Sequence, residues 1–192
     1  MTAVRGPGEL FRLDNEYLAF RFTATLSDRY GVSYERLTGP ARLAEWLRLN
    51  GLDCSETEAT PRDLDLARRL REAVHRAGAA VARRERIAAE DLELINRIAR
   101  SGQARRQLHH DGAHWATTGP HPIRDALGVI ASEAIETLGG ADRDRVKTCD
   151  NPDCRGLYVD TSRGRNRRWC SMNTCGNKAK KAAMGARAAT VG

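Results

Sequence analysis

Four cysteines near the C-terminal end constrain this chain more than any other feature. They stand at Cys149, Cys154, Cys170 and Cys175, spaced C-x4-C, fifteen residues, C-x4-C. In a reducing compartment two such pairs read as tetrahedral metal ligands before they read as disulfides. Four thiolates suit zinc, which takes soft ligands in a closed four-coordinate shell. One structural zinc ion per chain is the expectation, and two disulfides are the alternative. The fifth cysteine, Cys54, stands alone and reads as a small buried hydrophobe or a loop residue.

Charge is polarised toward the same end. The 192-residue chain carries 32 Lys+Arg against 25 Asp+Glu, a formal net charge of +7. Residues 1–140 hold 20 of each sign, and residues 141–192 hold 12 basic and 5 acidic side chains, so the excess lies entirely in the last quarter. From Arg163 onward there are eight basic residues and no acidic one. Such a tail is the electrostatic footprint of a protein that meets nucleic acid or another polyanion, with a solvated basic face as the alternative. No run of about 18 apolar residues occurs, so no membrane-spanning helix and no membrane partner are expected. The first twenty residues lack the basic, apolar and small-residue regions of a secretory signal, so a cytoplasmic location is expected.

Periodicity predicts an α+β chain that is mainly α. Leu18 to Leu26 alternates with period two and reads as a strand. Thr38-Gly39-Pro40 opens a helix from Ala41 to Leu49, with Leu43, Trp46 and Leu47 on one face and Gly51 as its stop. Thr60 caps a long helix with Pro61 at its first position, and Leu66, Leu70, Val74 and Val81 form its apolar stripe. Ala89 to Arg100 is a further helix, carrying Leu92, Leu94, Ile95 and Ile98. Gln103 to Thr118 reads as a hairpin turning at Asp111-Gly112. Pro122 starts a helix that runs to about Leu138 and ends at Gly139-Gly140. Composition shifts at Ala141, which divides the chain into residues 1–140 and residues 141–192.

The second part reads as a small metal module. Cys149 to Cys154 is a turn-rich knuckle. Leu157 to Asp160 is a strand, Thr161 to Asn166 a turn, and Arg168 to Cys170 a returning strand. Ser171 to Cys175 leads into a helix from Lys178 to about Arg187. Knuckle, hairpin and a helix start that supplies the last ligands is the order of a treble-clef zinc finger. Trp169 is expected in the module's core. Ser171 and Asn173 are candidates to bond thiolate sulfur, and Arg168 is expected to pair with Asp160.

Trp169-Cys170-Ser171-Met172-Asn173-Thr174-Cys175-Gly176-Asn177-Lys178 resembles the CGNR zinc-finger family, whose pattern is W-C-S-M-x-x-C-G-N-R. Tyr158-Val159-Asp160-Thr161-Ser162-Arg163 resembles the family's aromatic-x-Asp-x-Ser-Arg element. Lys178 stands where the family has arginine, which keeps the charge and loses the bidentate fork. Upstream, Phe20-Arg21-Phe22-Thr23-Ala24-Thr25 and the helices that follow resemble the family's N-terminal ABATE domain, without the Asp and Asn of its first element. The resemblance implies a stress-response transcription regulator whose N-terminal domain senses a ligand.

With four cysteine ligands the metal has no open position, so its role is structural and no enzyme is expected. A zinc-dependent, DNA-binding transcription regulator is the expected function. Arg163, Arg165, Arg167, Arg168, Lys178, Lys180 and Lys181 are candidates for phosphate contact, and Asn177 for an adenine edge. The N-terminal domain would bind a small-molecule effector or form a homodimer. The alternatives are docking on an acidic protein, RNA binding through Trp169 and Tyr158, or an enzyme built around His114 and Glu133. His109, His110, His114 and His121 read as ordinary surface or turn histidines.

Overall fold

Thr60 and Asp63 start the helix on which the rest of the chain is stacked. The Thr60 hydroxyl accepts from the Asp63 amide at 3.2 Å, and the Asp63 carboxylate accepts from the Thr60 amide at 2.9 Å. This reciprocal cap satisfies two otherwise orphaned donors, each worth about 1 kcal/mol. Pro61 follows at the first helical position, where its missing N–H costs nothing. The computed structural model describes residues 11–52, 54, 57–117 and 119–190, with backbone alone for 185–190. Thr118, the first ten residues and the Arg187 side chain, which enter the sequence expectations, lie outside the described residues.

The elements run in the order α1 (Leu18–Thr23), β1 (Leu26–Ser27), β2 (Tyr34–Glu35), α2 (Pro40–Leu49), α3 (Pro61–Ala82), α4 (Ala89–Ser101), β3 (Arg105–His109), β4 (Gly112–Ala116), α5 (Pro122–Gly139), β5 (Val146–Thr148), β6 (Leu157–Val159) and α6 (Asn177–Thr190). A 3-10 turn at Arg143–Arg145 precedes β5, and a π turn at Met172–Gly176 precedes α6. The three sheets are separate antiparallel pairs, β1–β2, β3–β4 and β5–β6. The chain is therefore mainly α with small β elements, as its periodicity predicts. No helix among the described residues is long and apolar enough to cross a membrane.

Helix α3 packs against α1, α2, α4, α5, β5 and β6. Leu70, Val74 and Val81 of its predicted stripe are buried, and Leu66 packs at the margin. Trp46, Leu43 and Leu47 bury the predicted face of α2, where Trp46 meets Phe22 with ring centroids 5.1 Å apart. Of the residues expected on α4, Leu94, Ile95 and Ile98 are buried and Leu92 is exposed. Cys54 is buried, as a small apolar residue would be.

Two local expectations are corrected. Leu18 to Thr23 is a short helix, not the start of a strand, and only Leu26–Ser27 of that stretch is extended. The alternation of Phe20 and Phe22 around Arg21 suits a strand. Here α1 is enclosed by α3, α5 and β6, so Leu18, Ala19, Phe20 and Phe22 are all buried and no single face has to be apolar. Glu133 of α5 accepts the amides of Leu18, at 2.8 Å, and of Ala19, so a distant carboxylate captures the helix N-terminus. The β3–β4 hairpin forms, but His109 pairs with Gly112, which places its turn at His110-Asp111. Gly112 takes the positive φ of +139° on the strand itself. Every residue of β3 is exposed.

The segment 141–192 does not stand apart from the helices. Val146, Leu157 and Val159 belong to the same core as α3 and α5. A Cβ on Gly78 of α3 would lie 2.4 Å from the Leu157 side chain, so the missing Cβ lets β6 sit on the helix. His75, one turn earlier, lies 3.4 Å from the Arg155 carbonyl. Burial, assisted by the nearby Arg29 guanidinium, pulls its pKa down to about 4.

Two outcomes follow from this packing. The backbones of Gly102 and Gly128 touch where α4 meets α5, and a Cβ at 128 would fall 2.7 Å from the Gly102 Cα. Gly128→Ala should therefore destabilise the fold by about 1–3 kcal/mol in urea unfolding, outweighing the roughly 1 kcal/mol gain in helix propensity. His75 is neutral when buried and has an ordinary pKa of about 6.5 when unfolded. Its contribution is complete above pH 6.5 and is lost as pH falls toward about 4. The stability difference between the wild type and His75→Gln should change by about 3 kcal/mol across that interval, as measured by denaturation at stepped pH.

Candidate metal centre and basic surface

The four cysteines meet at one point. Their Sγ atoms all lie within 4.8 Å of one another, with Cys154–Cys170 at 3.6 Å and Cys170–Cys175 at 3.7 Å. A zinc–sulfur bond of about 2.3 Å implies a tetrahedral edge of about 3.8 Å, which the Cys154–Cys170 and Cys170–Cys175 separations match. None of the cysteines is in a disulfide. Gly156 lies against the cluster, and a Cβ there would sit 3.3 Å from Cys154 Sγ and 3.5 Å from Cys170 Sγ. Cys149, Cys154 and Cys175 are buried, and Trp169 packs against them as the module's core.

Four thiols so close cannot all ionise unaided. Hydrogen bonding with Cys149 favours the thiolate of Cys154 and brings Cys175 down to about 7. The same contacts push Cys149 and Cys170 up. A divalent cation resolves this conflict by accepting four thiolates at once. The residues therefore fit one zinc ion.

The local folding that delivers the ligands is visible residue by residue. Cys149 leaves β5, with its amide bonded to the Gly156 carbonyl at 2.8 Å. Asn151 makes the knuckle, its side-chain oxygen accepting from the Asp153 amide at 3.1 Å and its carbonyl from the Cys154 amide at 3.1 Å. Ser171 starts the π turn, its hydroxyl accepting from the Thr174 amide at 3.3 Å, and Cys175 closes it.

Three expectations about this module are corrected. The strand β6 pairs with β5, not with Arg168–Cys170, because the knuckle folds the chain back between Thr148 and Leu157. The returning segment holds on by a single main-chain bond from Asp150 to Arg168, at 2.9 Å. Arg168 pairs with Asp150 at 2.7 Å, not with Asp160. Asp160 is fully buried and accepts from Lys147 Nζ at 2.6 Å, the Ser162 hydroxyl at 2.6 Å, the Ser162 amide at 3.0 Å and the Arg167 amide at 3.0 Å. Burial opposes its charge, but these donors hold its carboxyl well below the usual range. Tyr158 donates to the Arg167 carbonyl at 2.6 Å. The Tyr-Val-Asp-Thr-Ser-Arg motif is thus the anchor of the 161–168 loop. Finally, the side-chain contacts to sulfur from outside the cluster come from Asn151, at 3.8 Å from Cys175 Sγ, and from Arg12, at 3.9 Å, in place of Ser171 and Asn173.

Arg12 had no signal in the sequence. It lies in an extended segment whose Asn15 bonds the Leu157 carbonyl at 3.0 Å and whose Tyr17 hydroxyl bonds Asp142 at 2.7 Å. Burial opposes its charge, yet attraction to the sulfurs of Cys170, Cys154 and Cys175 holds its pKa above the ordinary value. A second tie runs from the β1–β2 loop. The Tyr30 amide donates to the Asp153 carbonyl at 3.0 Å, and Asp28 pairs with Lys178 Nζ at 3.0 Å. The loop is held in turn by Arg71, which bonds both oxygens of Glu35 at 2.7 Å, and by Arg29, which pairs with Glu72 at 2.5 Å.

The candidate contact residues divide into two groups. Arg163, Arg165, Lys180 and Lys181 are exposed, with no carboxylate partner among the described residues. Arg167 is committed, donating to the Trp169 carbonyl at 2.9 Å and the Cys170 carbonyl at 2.7 Å with its guanidinium 4.8 Å over Tyr158. Lys178 is held by Asp28, and Asn177 donates to the Asn173 carbonyl at 3.0 Å. Elsewhere, Glu133 caps α1, and His114 sits on the exposed hairpin 3.0 Å from Asp111 with its ring edge-on to His109. The cysteine cluster is the one metal-holding group found among the described residues.

A mainly helical body that carries a four-cysteine knuckle and helix start defines a zinc-finger protein of two matched parts. The CGNR zinc finger matches residues 145–188. The ABATE family, described as "Putative stress-induced transcription regulator", matches residues 16–141, and the chain belongs to it. Comparison with curated proteins finds no match.

The purified chain should hold one zinc, and Cys170→Ser should lose it together with the fold of residues 149–176. Arg12→Ala should weaken zinc binding by about tenfold, since outer contacts of this kind are typically worth 10–100-fold. Competition with a chromophoric chelator measures both. Affinity should weaken as pH is lowered in either protein, because the thiols must ionise to bind.

Proposed function

We propose that this chain is a zinc-dependent, DNA-binding transcription regulator and not an enzyme. The observation that carries the reading is a set of four exposed, unpaired cations on one metal-fixed module. Arg163 and Arg165 stand on the loop anchored by Asp160, and Lys180 and Lys181 stand on α6, which begins at the last zinc ligand. No acidic residue follows Asp160, so nothing nearby in sequence neutralises them. Contacts of this type position a protein on the duplex through its phosphates. The family's description as a transcription regulator supports the same reading.

Four cysteines leave the zinc no open coordination position, which supports a structural role. Trp169 packs on the cysteines, which argues against the stacking platform that single-stranded RNA would require. Effector sensing by the N-terminal part is supported by a cavity of about 510 Å³ beside α2, lined by Ala41, Ala44, Arg48, Cys54 and Thr57. Four phosphate contacts at about 0.9 each give a log–log salt slope of about −3.6 or steeper. Fluorescence anisotropy of the zinc-loaded chain against random duplex DNA, at stepped salt, measures it. A zinc-loaded chain that ignores duplex DNA at low salt but binds an acidic polypeptide would replace this reading with protein docking.

A further inference from the structure

Three arginines from three separate segments converge beside the finger. Arg84 follows the end of α3, Arg143 lies on the 3-10 turn, and Arg165 lies on the finger loop. They line a cavity of about 430 Å³ whose apolar lining includes Val81 and Val146. We propose that Arg84, Arg143 and Arg165 form a site for a phosphate group, which extends the finger's phosphate-contacting surface onto the helical part of the chain. The source of that phosphate, a DNA backbone, rests on the function proposed above.

Pairing sets these three apart from many other arginines. Arg29, Arg71, Arg76, Arg83 and Arg97 all lie within ion-pair distance of a carboxylate. Arg84 and Arg165 have no side-chain partner among the described residues, although Glu85 is adjacent to Arg84. Glu85 pairs with Arg83 instead, at 2.8 Å. Among the described residues the Arg143 side chain donates only to the Leu138 carbonyl, which leaves the rest of its fork for a ligand. Arginines that line one cavity in excess over its carboxylate suit phosphate oxygens, which guanidinium groups grip in pairs.

Backbone geometry supports the same conclusion. Arg84 has φ +59° and Arg165 φ +49°. Arg84 occupies the position just past the end of α3, where its amide bonds Val81 and the Glu85 amide bonds Ala80. Glycine is the low-cost residue there. An arginine in its place makes the turn at a cost that glycine would not bear. Arg165 is held by Lys147, whose ammonium bonds both the Arg165 carbonyl, at 2.5 Å, and Asp160. Opposing charge is smaller: Asp144 lines the cavity, and the C-terminal end of α3 adds about half a negative charge. The balance stays positive by roughly one and a half charges.

The test uses the zinc-loaded full chain with Arg84→Gly and Arg143→Gln, neither of which is a metal ligand. Glycine suits the backbone at 84, so Arg84→Gly should keep or raise the melting temperature and keep one zinc. Each substitution should lower the steepness of the salt slope on random duplex DNA by about 0.9, and the double variant by about 1.8. A wild type that binds duplex, beside an Arg84→Gly variant of unchanged slope and affinity, overturns the site and leaves the DNA reading intact. A wild type that does not bind duplex overturns the DNA reading, and inorganic pyrophosphate followed by amide NMR then decides the site. Shifts at residues 84, 143 and 165 that vanish in the double variant assign it to a small phosphate ligand. No shift overturns it.

Discussion

Four sulfur atoms within 4.8 Å of one another repel as thiolates, and a single cation between them turns that repulsion into the strongest constraint in the chain. Structural zinc binding in small modules is worth about 10–16 kcal/mol, as much as the whole stability of an ordinary domain. The module's own apolar core is little more than Trp169 against the cysteines. The knuckle at Asn151, the π turn at Met172–Gly176 and the start of α6 are local structures that the metal holds in register. The basic helix follows directly from the last ligand, so its direction is set at Cys175.

Helix α3 does for the remainder of the chain what the metal does for the finger. It receives α1, α2, α4, α5 and the β5–β6 pair, and at Gly78 it admits Leu157 from the finger's own hairpin. The finger is further tied by Arg12 to Cys175, by Tyr30 to Asp153 and by Asp28 to Lys178. Through Arg71 and Glu35, the β1–β2 loop that makes two of these ties is clamped to α3. The start of α6 is thus in contact with the β1–β2 loop, and that loop with α3.

The eponymous position of the finger acquires a specific meaning here. Lys178 replaces arginine and reaches Asp28 through a single ammonium, an interaction that a point charge satisfies without a planar fork. Charge at this position serves the joint between the two parts, and the exposed cations on either side of it, Arg163, Arg165, Lys180 and Lys181, are the ones left to solvent or to a polyanion.

What the sequence determined by itself was local or chemical. Spacing and thiol chemistry were enough to identify Cys149, Cys154, Cys170 and Cys175 as one zinc site. Thr60-Pro61 and Pro122 announced their helices, because caps and proline act within a turn of themselves. Tertiary structure decided whatever depended on a partner far along the chain. Leu18 to Thr23 became a helix because Glu133, more than a hundred residues away, caps it and three elements enclose it. β6 pairs with β5 and not with Arg168–Cys170, a choice between two nearby segments that periodicity alone does not make. Arg12, Arg84 and Arg143 carry no motif, and only folding sets Arg12 against a thiolate and gathers the other two with Arg165. Ligand chemistry is written in residue type and spacing, whereas charge pairing and strand partnership are settled by which distant segments the core holds side by side.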